Sequence, residues 1–218
     1  MERAIGVFDS GVGGLTVLNS IRSLLPNENI IYIGDNYHCP YGDKTPAQLF
    51  EYASDIVEYF IRRKVANTLI IATAATIKSN KYPETIKQID SKIETFSLAT
   101  PKLVPLVESG KYKNGIDQVL HEYLDDYKGK VQSIILGCTH YPILKEQIKN
   151  VLPNIEYVSS SEAISKNVKD ILSSQKLLNF NKNNYIRIYT TGDVDEFIYS
   201  SSGFFDYTNL KVEHLIID

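Results

Sequence analysis

Short runs of β-branched and apolar residues alternate along this chain with longer amphipathic stretches, and that alternation leaves few folds open. A strand that is followed by a helix and then another strand returns as a parallel neighbour, so repeated βα units build a doubly wound sheet with helices on both faces. The strand pattern falls at residues 4–8, 30–34, 68–72, 93–98, 133–136, 155–158, 185–190 and 212–217. Helical periodicity falls at 14–25, 46–64, 81–90, 101–109, 116–126, 142–151 and 162–174. Pro26, Pro46, Gly110 and Pro153 stand at the starts and stops these boundaries require. The polar tract 173–184 is a surface connection and a place for the chain to cross between domains.

Charge and cysteine content exclude several functions. With 23 Lys and Arg against 26 Asp and Glu, the net charge is −3, and no dense basic run offers the electrostatic footprint of a nucleic-acid binder. No apolar run approaches the ~20 residues of a membrane span, and the opening MERAIGVFDS lacks the apolar core of a signal peptide, so the expectation is a soluble cytoplasmic protein with no membrane partner. The two cysteines, Cys39 and Cys138, form neither a disulfide framework nor a Cys-x-x-Cys pair. Structural zinc and thioredoxin-like redox chemistry are therefore disfavoured, and no metal is expected.

Chemistry concentrates where strands end. In SIILGCTHYP a buried strand runs into Gly137, which lets the backbone come close to a ligand, and then delivers Cys138, Thr139 and His140 to one turn. A thiol beside an imidazole is held partly as thiolate and acts as base or nucleophile, while Thr139 offers a hydroxyl and a backbone N–H to a carboxylate. Taken alone, a Cys-x-His is as readily an inert core thiol beside a capping histidine; its place at a strand end favours a site. A second candidate is the strand–turn–helix at Asp9 and Ser10, followed by Gly11, Gly13 and Gly14, whose glycines permit positive φ and close ligand approach. It lacks the spacing of a dinucleotide or phosphate loop. A third is GDNYHCPYG, with Asp35, His38, Cys39, Tyr41 and Gly42, where two adjacent ligand types are too few for a metal centre.

DSGVGGLTV, IGDNYHCPYG and LGCTHYP, in that order and supported by SLATPKLVPLVESG and TTGD, closely resemble the glutamate racemases of the aspartate/glutamate racemase family over nearly the whole chain. The resemblance implies a cofactor-independent isomerase that supplies D-glutamate for peptidoglycan, with two pseudo-symmetric α/β domains of mainly parallel sheets, glutamate in the cleft between them, and often a homodimer. Carried over by motif, Asp9 and Ser10 bind substrate and Asp9 supports the first catalytic cysteine. Tyr41 and Gly42 contact glutamate, Cys138 is the second catalytic cysteine, and Thr139 and His140 lie beside it at the substrate. Glu108, in PLVE, matches an acidic residue that assists Cys138, and Thr100 stands where many relatives have a noncatalytic cysteine. The family inverts an α-carbon by taking the proton with one thiolate and returning one from a thiol on the opposite face; the cysteine on the Cys138 turn serves L-glutamate.

The chain departs from the family at its third strand. Relatives carry the first cysteine there, in a segment like IACNTA, whereas this chain reads LIIATAATIKSN. The end of that strand is joined to a segment found further along in relatives, as though roughly two βα units, ~45 residues, were missing. Thr73 stands where the thiol is expected, and its hydroxyl is a far weaker acid with no adjacent activating base. The expected division is 1–72 plus about 163–218 as first domain and about 73–162 as an incomplete second, shortened at the junction. Strand 68–72 can then hydrogen-bond in only one sheet and leaves the other a strand short. Two functional readings follow: a glutamate racemase-family enzyme with impaired activity, or a catalytically inactive relative, either a glutamate-binding or regulatory protein or a degraded gene product; a phosphate-binding or hydrolase reading with Cys138 as covalent nucleophile ranks a distant third.

Overall fold

The computed structural model describes residues 4–9, 11–34, 67–110, 112, 115–180 and 183–216. The helix expected at 46–64 and the loop residues Asp35, His38, Cys39, Tyr41 and Gly42 lie outside them, as does Ser10. By contacts the chain divides into two units, Met1–Tyr41 with Ile164–Asp218, and Gly42–Ala163.

In the first unit, β1 (Ile5–Asp9), β2 (Ile30–Gly34), β7 (Ile186–Thr190) and β8 (Val212–His214) form a wholly parallel sheet in the order β1-β2-β7-β8. Helix α1 (Leu15–Leu24) covers it because Leu15, Leu18 and Ile21 recur at helical spacing. They pack with Ile30, Tyr32, Ile188 and Phe197 in one buried cluster. Each such side chain taken fully out of water contributes about 1.5–3 kcal/mol. Helix α8 (Val194–Ser201) supplies Phe197; it was not anticipated from periodicity, although its first turn is marked by Asp193, whose side chain accepts the Glu196 N–H at 2.8 Å.

The second unit is another parallel sheet, in the order β4-β3-β5-β6, from β3 (Asn67–Ala72), β4 (Glu94–Ala99), β5 (Ser133–Leu136) and β6 (Glu156–Ser159). Between the strands run α2 (Ala74–Ser79), α3 (Lys81–Ile89), α4 (Leu103–Glu108), α5 (Ile116–Leu124) and α6 (Lys145–Val151). A 3₁₀ turn, Tyr141–Leu144, occupies the start of the helix expected from residue 142. Helix α7 (Ser160–Ser174) spans the division between the units in sequence. Strands β3 and β5 pair Ile70 with Ile135 and Leu69 with Ile134, all fully buried, and Thr68 and Ser133 share a buried 2.9 Å hydroxyl hydrogen bond.

The doubly wound α/β class is therefore the one the strand–helix alternation dictates. Strand 68–72, however, does not close the first sheet, as a first domain ending at residue 72 required: as β3 it lies between β4 and β5. Its sequence NTLIIA is buried at five of six positions, and only an interior strand of a covered sheet hides both faces. Among the described residues both sheets have four strands, and in the first unit β1 is an edge strand with Ala4 and Gly6 exposed.

Candidate functional site

Because the second sheet is parallel, Thr73, Thr100 and the Cys138 turn all follow the C-terminal ends of its strands, at one end of the sheet. Strand β5 is buried at all four positions and ends at Gly137, whose N–H donates to the Ile71 carbonyl at 2.9 Å. A Cβ there would lie 3.1 Å from both the Ala72 Cβ and the Ile71 oxygen, so glycine eases the close approach to β3, a different reason from the ligand approach expected from the sequence. The 3₁₀ turn after the thiol is pinned by Tyr141, whose hydroxyl lies 2.6 Å from Thr100 Oγ1, and the Thr100 N–H donates to the Ala72 carbonyl at 3.0 Å. Thr100 thus holds the backbone of the turn in register with β3 and β4.

On that support stands a chain of three groups. Cys138 Sγ, half-buried, is 3.7 Å from His140 Nδ1. His140 Nε2 donates to Glu108 Oε1 at 3.0 Å, and Glu108 is the last residue of α4. The histidine is 6% exposed, so both ring nitrogens are committed and the ring has one orientation. Burial opposes its positive charge, but the hydrogen bonds to Cys138 and Glu108 and their negative charges outweigh that, pushing the imidazole from 6.5 up to about 10. The neighbouring Tyr82 phenol is pushed up to about 12 by burial and by the charge of Cys138. An imidazolium against a thiol at neutral pH can hold a thiolate, which can take a proton from carbon or attack an electrophile.

The sign of that shift gives a test. The charged imidazole contributes stability that is complete below 6.5 and lost as pH rises through about 10. Proton NMR of the histidine rings should therefore find His140 still protonated at pH 8, with unfolding by urea easier above pH 10 than at pH 6; a midpoint near the ordinary histidine value would contradict this geometry.

Thr73 is not a substitute for a thiol. Its hydroxyl caps α2, accepting the Thr76 N–H at 3.3 Å and lying 3.0 Å from Thr76 Oγ1. Asp9 ends β1 in the first unit, where Oδ2 accepts the N–H groups of Gly11 at 3.3 Å and Gly14 at 2.9 Å and so ties the loop to the start of α1. Of the glycines there, none has positive φ. Gly14 is required for another reason: a Cβ would meet the Asp9 Cβ at 2.4 Å and the Tyr32 hydroxyl at 2.7 Å. Thr139 is half-buried beside Cys138. Also in the first unit, a hollow of about 610 Å³ is lined by Thr191, Gly192, Asp193, Asp195 and His214, an acidic lining that opposes a carboxylate ligand. Sequence reading singled out none of these beyond the TTGD stretch. Among the described residues, no helix is long and apolar enough to cross a membrane.

Two parallel α/β units, one with a thiol, an imidazole and a carboxylate in sequence at its strand ends, define a doubly wound α/β protein. No protein-family model matches the chain. Glutamate racemase 2 of Caldanaerobacter subterraneus is 32% identical, over 90% of this chain and 90% of its own length. The glutamate racemase of Bacillus cereus is 31% identical, over 100% of this chain and 98% of its own. Among solved structures, Francisella tularensis glutamate racemase in complex with D-glutamate superposes with a TM-score of 0.77 at 31% identity, covering 100% of this chain and 97% of that one. The chain belongs to the glutamate racemase family. The alignment with the Bacillus cereus enzyme spans 265 positions against 218 residues, a shortfall of at least 47.

Proposed function

We propose that this protein acts on glutamate without a cofactor, in the cytoplasmic supply of D-glutamate for peptidoglycan, but with only one of the two proton-handling groups inversion demands. The observation that carries the reading is the chain Cys138–His140–Glu108, with separations of 3.7 and 3.0 Å. Cys138 is the acid–base group for one face of the α-carbon, His140 lies against its sulfur, and Glu108 positions His140. Thr139 and His140, with Asp9, Ser10, Tyr41 and Gly42, are the substrate-binding residues; Asp9 additionally accepts the Gly11 and Gly14 N–H groups. Thr73, where the family resemblance puts the other thiol, offers only a weakly acidic hydroxyl, which also caps α2.

The alternative, a glutamate-binding relative without catalysis, is favoured by the same Thr73 cap. Both readings require glutamate to bind. Each polar contact missing from such a site costs about 0.5–1.5 kcal/mol, so affinity weakens by one or more powers of ten. Calorimetric titration with L-glutamate should therefore find a Kd weaker than about 10 μM that saturates below the millimolar range's upper end; heat indistinguishable from that with an unrelated amino acid would remove both readings.

A further inference from the structure

The geometry points to a second chemistry at the same turn: we propose that Cys138, His140 and Glu108 also work as nucleophile, base and orienting carboxylate in the hydrolysis of small activated acyl compounds, through a thioester on Cys138. The proposal rests on the order of atoms. Histidine gives Nδ1 to the sulfur at 3.7 Å and Nε2 to a carboxylate at 3.0 Å, so one nitrogen serves the nucleophile while the other is held. That division of roles recurs in thiol hydrolases on unrelated folds and is recognised by geometry rather than by sequence. Proton exchange at carbon needs two faces for inversion, whereas acyl transfer needs one, so this chemistry survives the replacement of an opposing thiol by Thr73.

The steps balance without any group the protein lacks. The Cys138 thiolate adds to the acyl carbon, the bond to the leaving oxygen breaks, and that oxygen takes the proton from His140 Nδ1. Water then adds to the thioester carbon and gives a proton to Nδ1, the C–S bond breaks, and Sγ departs as thiolate with the acid released.

The probe is p-nitrophenyl acetate, with the full chain carrying Cys39→Ser so that Cys138 is the sole thiol. The expected result is a burst of one p-nitrophenolate per chain, a single acetyl group on the peptide that contains Cys138, and continued release faster than hydrolysis of the free thioester S-acetyl-N-acetylcysteine. His140→Asn should slow acetylation about 100-fold or more. Glu108→Gln, at a half-exposed side chain, should lower turnover and move the pH profile of acetylation downward, a change that loss of packing alone would not produce. Acetylation of Cys138 no faster than that of N-acetylcysteine at the same pH, a thioester that does not turn over, or rates unchanged in both variants would overturn the proposal. Glutamate plays no part in this assay, so its failure and the failure of the glutamate reading are separately visible.

Discussion

Purified protein given L-glutamate should accumulate D-glutamate at least about 10⁴-fold more slowly than a two-cysteine member of the family, a loss of the size expected when a positioned acid–base group is removed from one face. The α-proton of an amino acid is weakly acidic, and without a cofactor to delocalise the carbanion, its return must be immediate and from the other side. Thr73 is a poor source of that proton, because its hydroxyl is a far weaker acid than a thiol; its Oγ1 also accepts the Thr76 N–H at 3.3 Å and lies 3.0 Å from Thr76 Oγ1. Chiral chromatography of the product against time measures the rate directly. A rate within about tenfold of a two-cysteine enzyme would show that another group serves the second face.

The second large effect concerns the backbone. Hydrogen exchange should be slowest in Leu69–Ile71 of β3, which is fully buried and flanked by strands on both sides. In β1 it should run at least about 100-fold faster, because opening an edge strand takes much less than global unfolding. Parallel pairing makes a finer statement. Ile5 N–H donates to the Asn29 carbonyl at 2.8 Å, so alternate amides of β1 face β2, and those of Gly6 and Phe8 point to the side where the described residues provide no strand. Gly6 and Phe8 should exchange first. Equal protection in β1 and β3 would mean that the β1 edge is covered, whether by another part of this chain or by a second copy of it.

The Cys138 turn was the most legible part of the sequence, since a short apolar strand, a glycine and a Cys-x-His carry their own local meaning, and the structure puts them together as expected. Glu108 came only from resemblance, because its approach to His140 joins residues 32 apart in the chain through the packing of α4. The sheet that would receive strand 68–72 was not legible. A strand hidden on both faces carries no mark of its neighbours, and its pairing with β5 is settled by partners such as Ser133, 65 residues away. Helix α8 was legible in principle: Asp193 followed by Glu196 is a local N-terminus signal, overlooked because the apolar spacing around Phe197 is short. The glycines after Asp9 show the opposite case, in which the residue type was read rightly and its cause wrongly. Crowding by Asp9 and Tyr32 fixes Gly14, with φ ordinary.

One measurement bears most directly on a site with a single working face: the fate of the α-proton of each glutamate enantiomer in heavy water, followed by proton NMR with chiral analysis of the same samples. Cys138 alone should wash the α-proton out of L-glutamate while the product stays L, leave D-glutamate unlabelled, and lose all exchange in Cys138→Ser. Deuterium entering at the same rate as D-glutamate forms, or exchange that persists in Cys138→Ser, would contradict it.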